Sequence, residues 1–229
     1  MQRLALVLVS LALACASGGP GAEPEGEADG IFGYVRLVPR EGVEPARGGG
    51  GSYGDRRLAG VRFVDYERPG FAVVYAEGQP GPEDATVLEI RSGVSTAHIE
   101  PSLAAVGRGG RIVLHNRTAD AHVVSLPARG AVHRLEAGER LALSDLDGGE
   151  QPVFLLDAPR ASARVFVAPG PYAVTSESGR FHLAGLAPGR VRLWAWHPRF
   201  PPTSRWVEVG AGAQRVDLEM GVGSAPEAP

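Results

Sequence analysis

The sequence predicts an all-β fold. Its apolar residues fall in short runs rich in Val, Leu, Phe and Tyr, and Gly, Pro, Asp or Asn interrupts these runs about every 8 to 12 residues. No stretch keeps a helical apolar period over three turns, so an amphipathic helix is not indicated. The runs with the strand pattern are residues 31–38, 61–64, 71–76, 86–91, 103–106, 111–116, 121–125, 139–143, 151–157, 164–168, 172–175, 180–184, 189–197, 204–209 and 214–220.

The N-terminus has the pattern of an export signal. Arg3 precedes an apolar run of about eleven residues, which is too short to span a bilayer as a helix and ends in small residues. Cleavage before Cys15 would leave its thiol available for lipidation, whereas cleavage before Ser17 would remove it. We expect a lipoprotein-type signal over residues 1–16, because residues 17–30 are rich in Gly, Pro and acidic residues and suit a flexible linker. The mature protein is therefore expected at the cell envelope, periplasmic or held to a membrane by a lipid anchor on Cys15.

The composition restricts the chemistry of the folded part. Cys15 is the only cysteine, so the mature body has no disulfide and no thiolate for a metal. The chain has 23 basic and 26 acidic residues and no basic cluster, so we expect no nucleic-acid partner. The sequence contains no Gly-x-Ser-x-Gly, His-Glu-x-x-His or phosphate-binding glycine motif. It therefore predicts a protein that is not an enzyme and has no catalytic residues.

Two patterns of strands and turns divide the chain near Pro169. Before this residue the strands are long and the loops irregular, whereas after it tight turns at 175–181 and 186–189 separate brief strands. A sandwich of about 50 residues is marginal alone, so we expect the two parts to pack together. The expected segments are a first β-sandwich over residues 31–169 with a Gly-rich insertion at 41–58, a second β-sandwich over 170–220 and an unstructured tail at 221–229.

The second sandwich resembles the carboxypeptidase regulatory-like or transthyretin-like family. The resemblance lies in the order of its turn and strand residues, which are Ala173-Val174-Thr175, Gly179-Arg180-Phe181, Leu186-x-Pro188-Gly189 and Leu193-x-Ala195-Trp196-His197-Pro198. It implies a structural or adhesive domain.

Trp194, Trp196 and His197 form a possible ligand or interdomain surface. The strand period of two places both Trp side chains on the face opposite Leu193. On that face they are core residues, a contact between the two domains, or a stacking platform for a sugar. His197 either orders the end of its strand or meets the first domain.

The first sandwich resembles the cupredoxin-like domains of the plastocyanin-like type found in exported bacterial proteins, including methylamine utilization proteins. The residues that carry this resemblance are Phe71 to Gly78, Ile99-x-Pro101, Gly110-x-Ile112-x-Leu114-x-Asn116 and His122. The resemblance implies a copper site in which His122, six residues after Asn116, would be one ligand. It also implies a closing segment with Cys, His and Met ligands, and this chain has Leu155, Ala158 and Ala161 at those three positions.

A blue-copper centre needs two imidazoles and a thiolate with a weak axial thioether. Leu155 and the two alanines provide no lone pair, so we expect no cofactor. We also expect the rim of the sandwich, the edge at which the implied copper ligands would lie, to close in apolar packing. His122 remains as a vestigial metal residue. It is either a loop or core imidazole with hydrogen-bond partners or a metal ligand, and spacing gives little support for a site with the other histidines, His98, His115, His133, His182 and His197.

Together these observations predict a non-enzymatic exported envelope protein with a binding or scaffolding role, built on a cupredoxin fold without copper. Its partner is expected to be an envelope protein or a glycan of unknown identity. Two alternatives remain open. One is a copper-binding or electron-transfer protein with a rebuilt histidine site, and the other is a carbohydrate-binding module that uses Trp194 and Trp196.

Overall fold

The computed structural model describes residues 29–39, 64–66, 68–94 and 96–221. The signal, Cys15, nearly all of the linker, the insertion at 41–58 and residues 222–229 lie outside the described residues. Within the described ranges, seventeen strands and one 3₁₀ turn are formed and there is no α-helix, which confirms the predicted all-β class. This part of the chain accordingly contains no helix long and apolar enough to cross a membrane.

The strands follow one another in the order in which they are numbered here. Their bounds are β1 Gly30–Val38, β2 Val73–Ala76, β3 Ala85–Ser92, β4 Ala97–Glu100, β5 Leu103–Gly107, β6 Arg111–Asn116, β7 His122–Leu126, β8 Ala131–Leu135, β9 Arg140–Leu143, β10 Gly149–Leu155, β11 Ser162–Ala168, β12 Tyr172–Val174, β13 Arg180–Leu183, β14 Gly189–His197, β15 Phe200–Val209, β16 Ala213–Arg215 and β17 Leu218–Gly221. The 3₁₀ turn is Pro127–Arg129.

Residues 85–168 form one sandwich, which we call the inserted sandwich. A four-stranded sheet in the order β4-β3-β6-β9 faces a five-stranded sheet in the order β5-β11-β10-β7-β8. Alternate side chains of both sheets point into a shared apolar core, as expected for two packed sheets. The core residues include Leu88, Ile90, Ile112 and Leu114 from the first sheet and Val124, Val153, Leu155 and Val165 from the second.

The remaining strands form a second sandwich, which we call the host sandwich. Strand β1 pairs with β13, β16 and β17, and the opposing sheet has the order β12-β2-β14-β15. Its separate core includes Ile31, Val35, Phe181, Leu193 and Met220. Each sandwich thus has its own hydrophobic core.

The predicted domain boundaries are wrong for the N-terminal strands. Residues 31–169 were expected to form one sandwich, but β1 pairs antiparallel with β13 and parallel with β16 and β17. Strand β2, which lies in the segment with cupredoxin resemblance at Phe71 to Gly78, pairs with β12 and β14. Both strands therefore belong to the host sandwich, and residues 85–168 interrupt it between β2 and β12.

The two chain connections between the sandwiches lie side by side. The Ala76 N–H donates to the Pro171 carbonyl at 2.9 Å, where the chain leaves and re-enters the host sandwich. Gly170 approaches so closely that a Cβ atom on it would lie 2.0 Å from the Ala76 carbonyl oxygen. The Tyr172 hydroxyl donates to the carboxylate of Asp84 at the start of the inserted sandwich. These contacts fix one sandwich on the other.

Candidate functional site

His122 begins strand β7, and both of its ring nitrogens have partners within the protein. The ring is buried, with 7% of the residue exposed. Its Nδ1 lies 2.6 Å from Asp157 Oδ2, and its Nε2 lies 3.0 Å from Thr118 Oγ1. The second Asp157 oxygen accepts a hydrogen bond from the Val123 N–H at 2.9 Å. His122 is therefore a buried imidazole held by side chains from two neighbouring loops.

Asn116 fixes the loop that leads to His122. Its side chain is fully buried. The amide Nδ2 donates to the backbone carbonyls of Asp120, Leu135 and Glu136 at 2.7, 3.2 and 3.0 Å. Its Oδ1 accepts from the Thr118 N–H at 3.0 Å and lies 2.8 Å from the Thr118 hydroxyl. The Asn116 side chain thus connects the loop between β6 and β7 to the end of strand β8.

The hydrogen bonds around Thr118 indicate how the His122 ring is used. The Thr118 hydroxyl has one proton and lies near two oxygens that can only accept, Asn116 Oδ1 at 2.8 Å and the Asp120 carbonyl at 3.0 Å. The same hydroxyl oxygen also accepts a hydrogen bond from the Asp120 N–H at 3.3 Å. The two ring nitrogens of His122 are directed at the Asp157 carboxylate and at the Thr118 hydroxyl, so neither is directed at an open position that a metal ion could occupy.

Asp157 is stabilised as a carboxylate in this arrangement. Burial raises its pKa, but the hydrogen bonds from the Val123 N–H and the His122 ring outweigh burial and leave the pKa below its usual value. The Asp157 carboxylate therefore holds the His122 ring in position.

The three positions at which the resemblance implies Cys, His and Met ligands are closed and apolar. Leu155, Ala158 and Ala161 are 1%, 4% and 4% exposed and belong to the core of the inserted sandwich. The turn that holds them is tight, because the Ala161 N–H donates to the Ala158 carbonyl at 2.7 Å and the Leu155 N–H donates to the Ala161 carbonyl at 3.1 Å. This confirms the predicted apolar packing of the rim.

The other histidines do not join His122. No group of three or more His, Cys, Asp or Glu side chains in the described ranges could hold a metal ion. His115 is buried beside Glu89, with Nδ1 at 4.0 Å from Oε1. Burial lowers the pKa of His115, the positive charges of Arg140 and Arg117 lower it further, and Glu89 opposes them. A nitrogen-only site around His122 is therefore not formed by these residues.

Trp196 is part of the contact between the two sandwiches. Its ring stacks on Phe166 of β11, with centroids 4.6 Å apart, and meets Phe71 edge-on at 6.5 Å. Phe166 also contacts Tyr75 at 5.5 Å. Of the three environments that the sequence left open for Trp196, the structure places it at the domain contact.

Trp194 continues the same face of β14 beyond this contact. Its ring lies parallel to Tyr75, with centroids 6.4 Å apart and 6° between the ring planes, and its Nε1 donates to Glu77 Oε2 at 2.8 Å. The pKa of Tyr75 is raised to about 12, mainly by burial and also by the charge of Glu77, while Arg192 opposes them. Trp194 thus joins the buried contact to the exposed part of the sheet.

His197 has a structural role at the end of β14. The residue is buried in the host sandwich, where its ring meets Phe200 edge-on at 5.2 Å. Its Nδ1 accepts from the Arg199 N–H at 3.1 Å. Burial lowers the pKa of His197, Arg199 lowers it further, and a hydrogen bond with the Pro69 backbone opposes them. His197 is therefore turned away from any ligand surface and orders the turn into β15.

The sequence reasoning missed a ladder of Arg and Trp side chains on this sheet. The Arg192 guanidinium lies 4.5 Å from the Trp194 ring centroid and 5.7 Å from that of Trp206, and Arg190 lies 4.4 Å from the Trp206 centroid. Trp206 is paired with Arg192 across β14 and β15. We call Arg190, Arg192, Trp194 and Trp206 the Arg–Trp ladder. The available signal was the alternation Arg-x-Arg-x-Trp-x-Trp in β14, which places four such side chains on one face.

A cavity of about 350 Å³ lies beside the ladder. Its lining includes Arg190, Arg192 and Trp206 together with Glu77 and Gln79 from the loop after β2. Gln79 fixes the opposite loop, because its Oε1 accepts from the Ala187 N–H at 2.9 Å. The ladder therefore faces an open groove with fixed walls.

No protein-family model matches the chain, and the comparison with curated proteins finds no match. Among solved structures, the chain is similar to the purple cupredoxin from Nitrosopumilus maritimus, at 16% identity and a TM-score of 0.32 over 36% of this chain and 99% of that one. It is similar to a reduced amicyanin variant at 20% identity and a TM-score of 0.32, over 36% and 81% of the two chains. It is also similar to the metal-binding domain of the Streptococcus pneumoniae Cu(I)-exporting P-type ATPase, at 10% identity and a TM-score of 0.31, over 38% and 87%.

Proposed function

We propose that this chain is a non-enzymatic protein of the cell envelope that binds or scaffolds a partner, and that its inserted sandwich is a cupredoxin-like domain without copper. The observation that carries this proposal is the environment of His122. Both ring nitrogens are used by Asp157 and Thr118, and the three other implied ligand positions present only hydrocarbon. Because a copper centre needs nitrogen and sulfur lone pairs that converge on one point, these residues do not fit the metal.

The series Thr118, His122 and Asp157 has the hydroxyl, imidazole and carboxylate order of a hydrolase triad, but its surroundings argue against that chemistry. Thr118 is only 8% exposed. Its oxygen is also held by Asn116 and by the backbone of Asp120. Because this hydroxyl is buried and already has these partners, the three residues support a structural network and a non-enzymatic role.

A scaffolding role is further supported by the rigid connection between the sandwiches. An apolar cluster made of Val73, Phe166 and Ala168, with Tyr75 and Trp196 against it, lies between them. The paired connections at Ala76 and Pro171 restrict hinge motion. Such a body holds the surfaces of both sandwiches in a fixed relation.

Copper titration of the full mature chain tests the proposal. We expect no uptake of one equivalent of Cu(II) or Cu(I) that depends on His122. His122→Ala would remove the imidazole, and His98→Ala, which removes an exposed imidazole of the same sandwich, is the matched control. One equivalent of tightly bound copper that is lost in His122→Ala and retained in His98→Ala would contradict the proposal and support a copper protein.

The envelope location rests on the N-terminal sequence with Arg3, the apolar run and Cys15. Mass spectrometry of the membrane fraction tests it. We expect a lipid-modified N-terminal Cys15, and an unlipidated N-terminus at Ser17 would remove the anchor from the proposal.

A further inference from the structure

We draw no further inference here: the strongest candidate, the cavity of about 400 Å³ that Tyr34, Tyr66 and Pro69 line beside the end of strand β1, lies where the described ranges are interrupted after Pro39, and nothing in the described residues shows what covers it.

Discussion

Trp196 in strand β14 stacks on Phe166 in strand β11, with ring centroids 4.6 Å apart and 23° between the ring planes. The two residues belong to different sandwiches, and Phe166 is only 4% exposed. An aromatic pair of this kind adds to the free energy gained from apolar burial. The pair therefore couples the stability of one sandwich to that of the other.

Phe166→Ala is predicted to lower the free energy of unfolding by about 3 kcal/mol, because it removes a large buried ring and leaves a cavity at the contact. Urea denaturation followed by tryptophan fluorescence measures the change. Phe154→Ala, in β10 of the same sandwich, is the matched control, since Phe154 is 39% exposed. It should cost less than about 1 kcal/mol. Equal losses in the two variants would show that the contact does not contribute to stability.

Gly170→Ala is predicted to destabilise the protein by about 2 kcal/mol or more, because the new methyl group would meet the Ala76 carbonyl oxygen at 2.0 Å and force the backbone to shift. A thermal melt compared with that of Gly210→Ala measures the effect. A Cβ atom at Gly210 would have no neighbour within 4 Å, so this control should be neutral or stabilising by up to about 1 kcal/mol. An unchanged melting temperature in Gly170→Ala would contradict the close approach.

Asp157→Asn is predicted to reduce the loss of stability in acid. The pKa of Asp157 is lowered in the folded state, so its contribution is fully present above the unfolded value of about 3.9 and is lost as pH falls through the folded value. The wild type should therefore lose more stability below about pH 4 than the variant. Denaturation midpoints from pH 7 to pH 2.5 measure this, with Asp147→Asn, which removes an exposed acid, as control. Parallel curves for the wild type and Asp157→Asn would refute the lowered pKa of Asp157 and the hydrogen bonds from Val123 and His122 that cause it.

His197→Gln is predicted to remove a pH dependence of stability that arises because burial disfavours the charged form of His197. Burial lowers the pKa of His197 in the folded state, so the unfolded chain takes up a proton first as pH falls below about 6.5. Stability should rise with pH through the interval between the folded and unfolded pKa values. Melting temperatures measured between pH 5 and pH 8 should show this slope in the wild type and a smaller one in the variant. His133→Gln, in the edge strand β8, serves as control, and a slope that persists in His197→Gln would count against the assignment.

Local patterns in the sequence predicted most of the strands but not how the strands are arranged in sheets. The alternation in β14 correctly separates Leu193, which faces the core, from Trp194 and Trp196 on the other face. Strands β4 and β8 were not predicted, because Ala97–Glu100 and Ala131–Leu135 lack a clear run of β-branched or aromatic residues. Whether such a short segment forms a strand depends on its neighbours in the sheet, and these two strands pair with β3 and β7.

The domain assignment failed because sheet membership depends on contacts that are distant in sequence. The partners of β1 lie near the opposite end of the chain, for example Tyr34 with Arg180 and Val35 with Leu218. Nothing in the local sequence of β1 specifies these partners. The sequence was sufficient to predict that the implied ligand positions are apolar, because Leu155, Ala158 and Ala161 occupy them. The Asp157 contact of His122 was not, because it joins loops that only the folded sandwich brings together.

Strands β2 and β12 are antiparallel neighbours, with Tyr75 opposite Tyr172 and Val73 opposite Val174. In topological language, residues 85–168 occupy the tip of a β-hairpin, a place where other proteins have only a short turn. The host sandwich is thus continuous in space although it is interrupted in sequence, because the two ends of residues 85–168 lie side by side at Ala76 and Pro171.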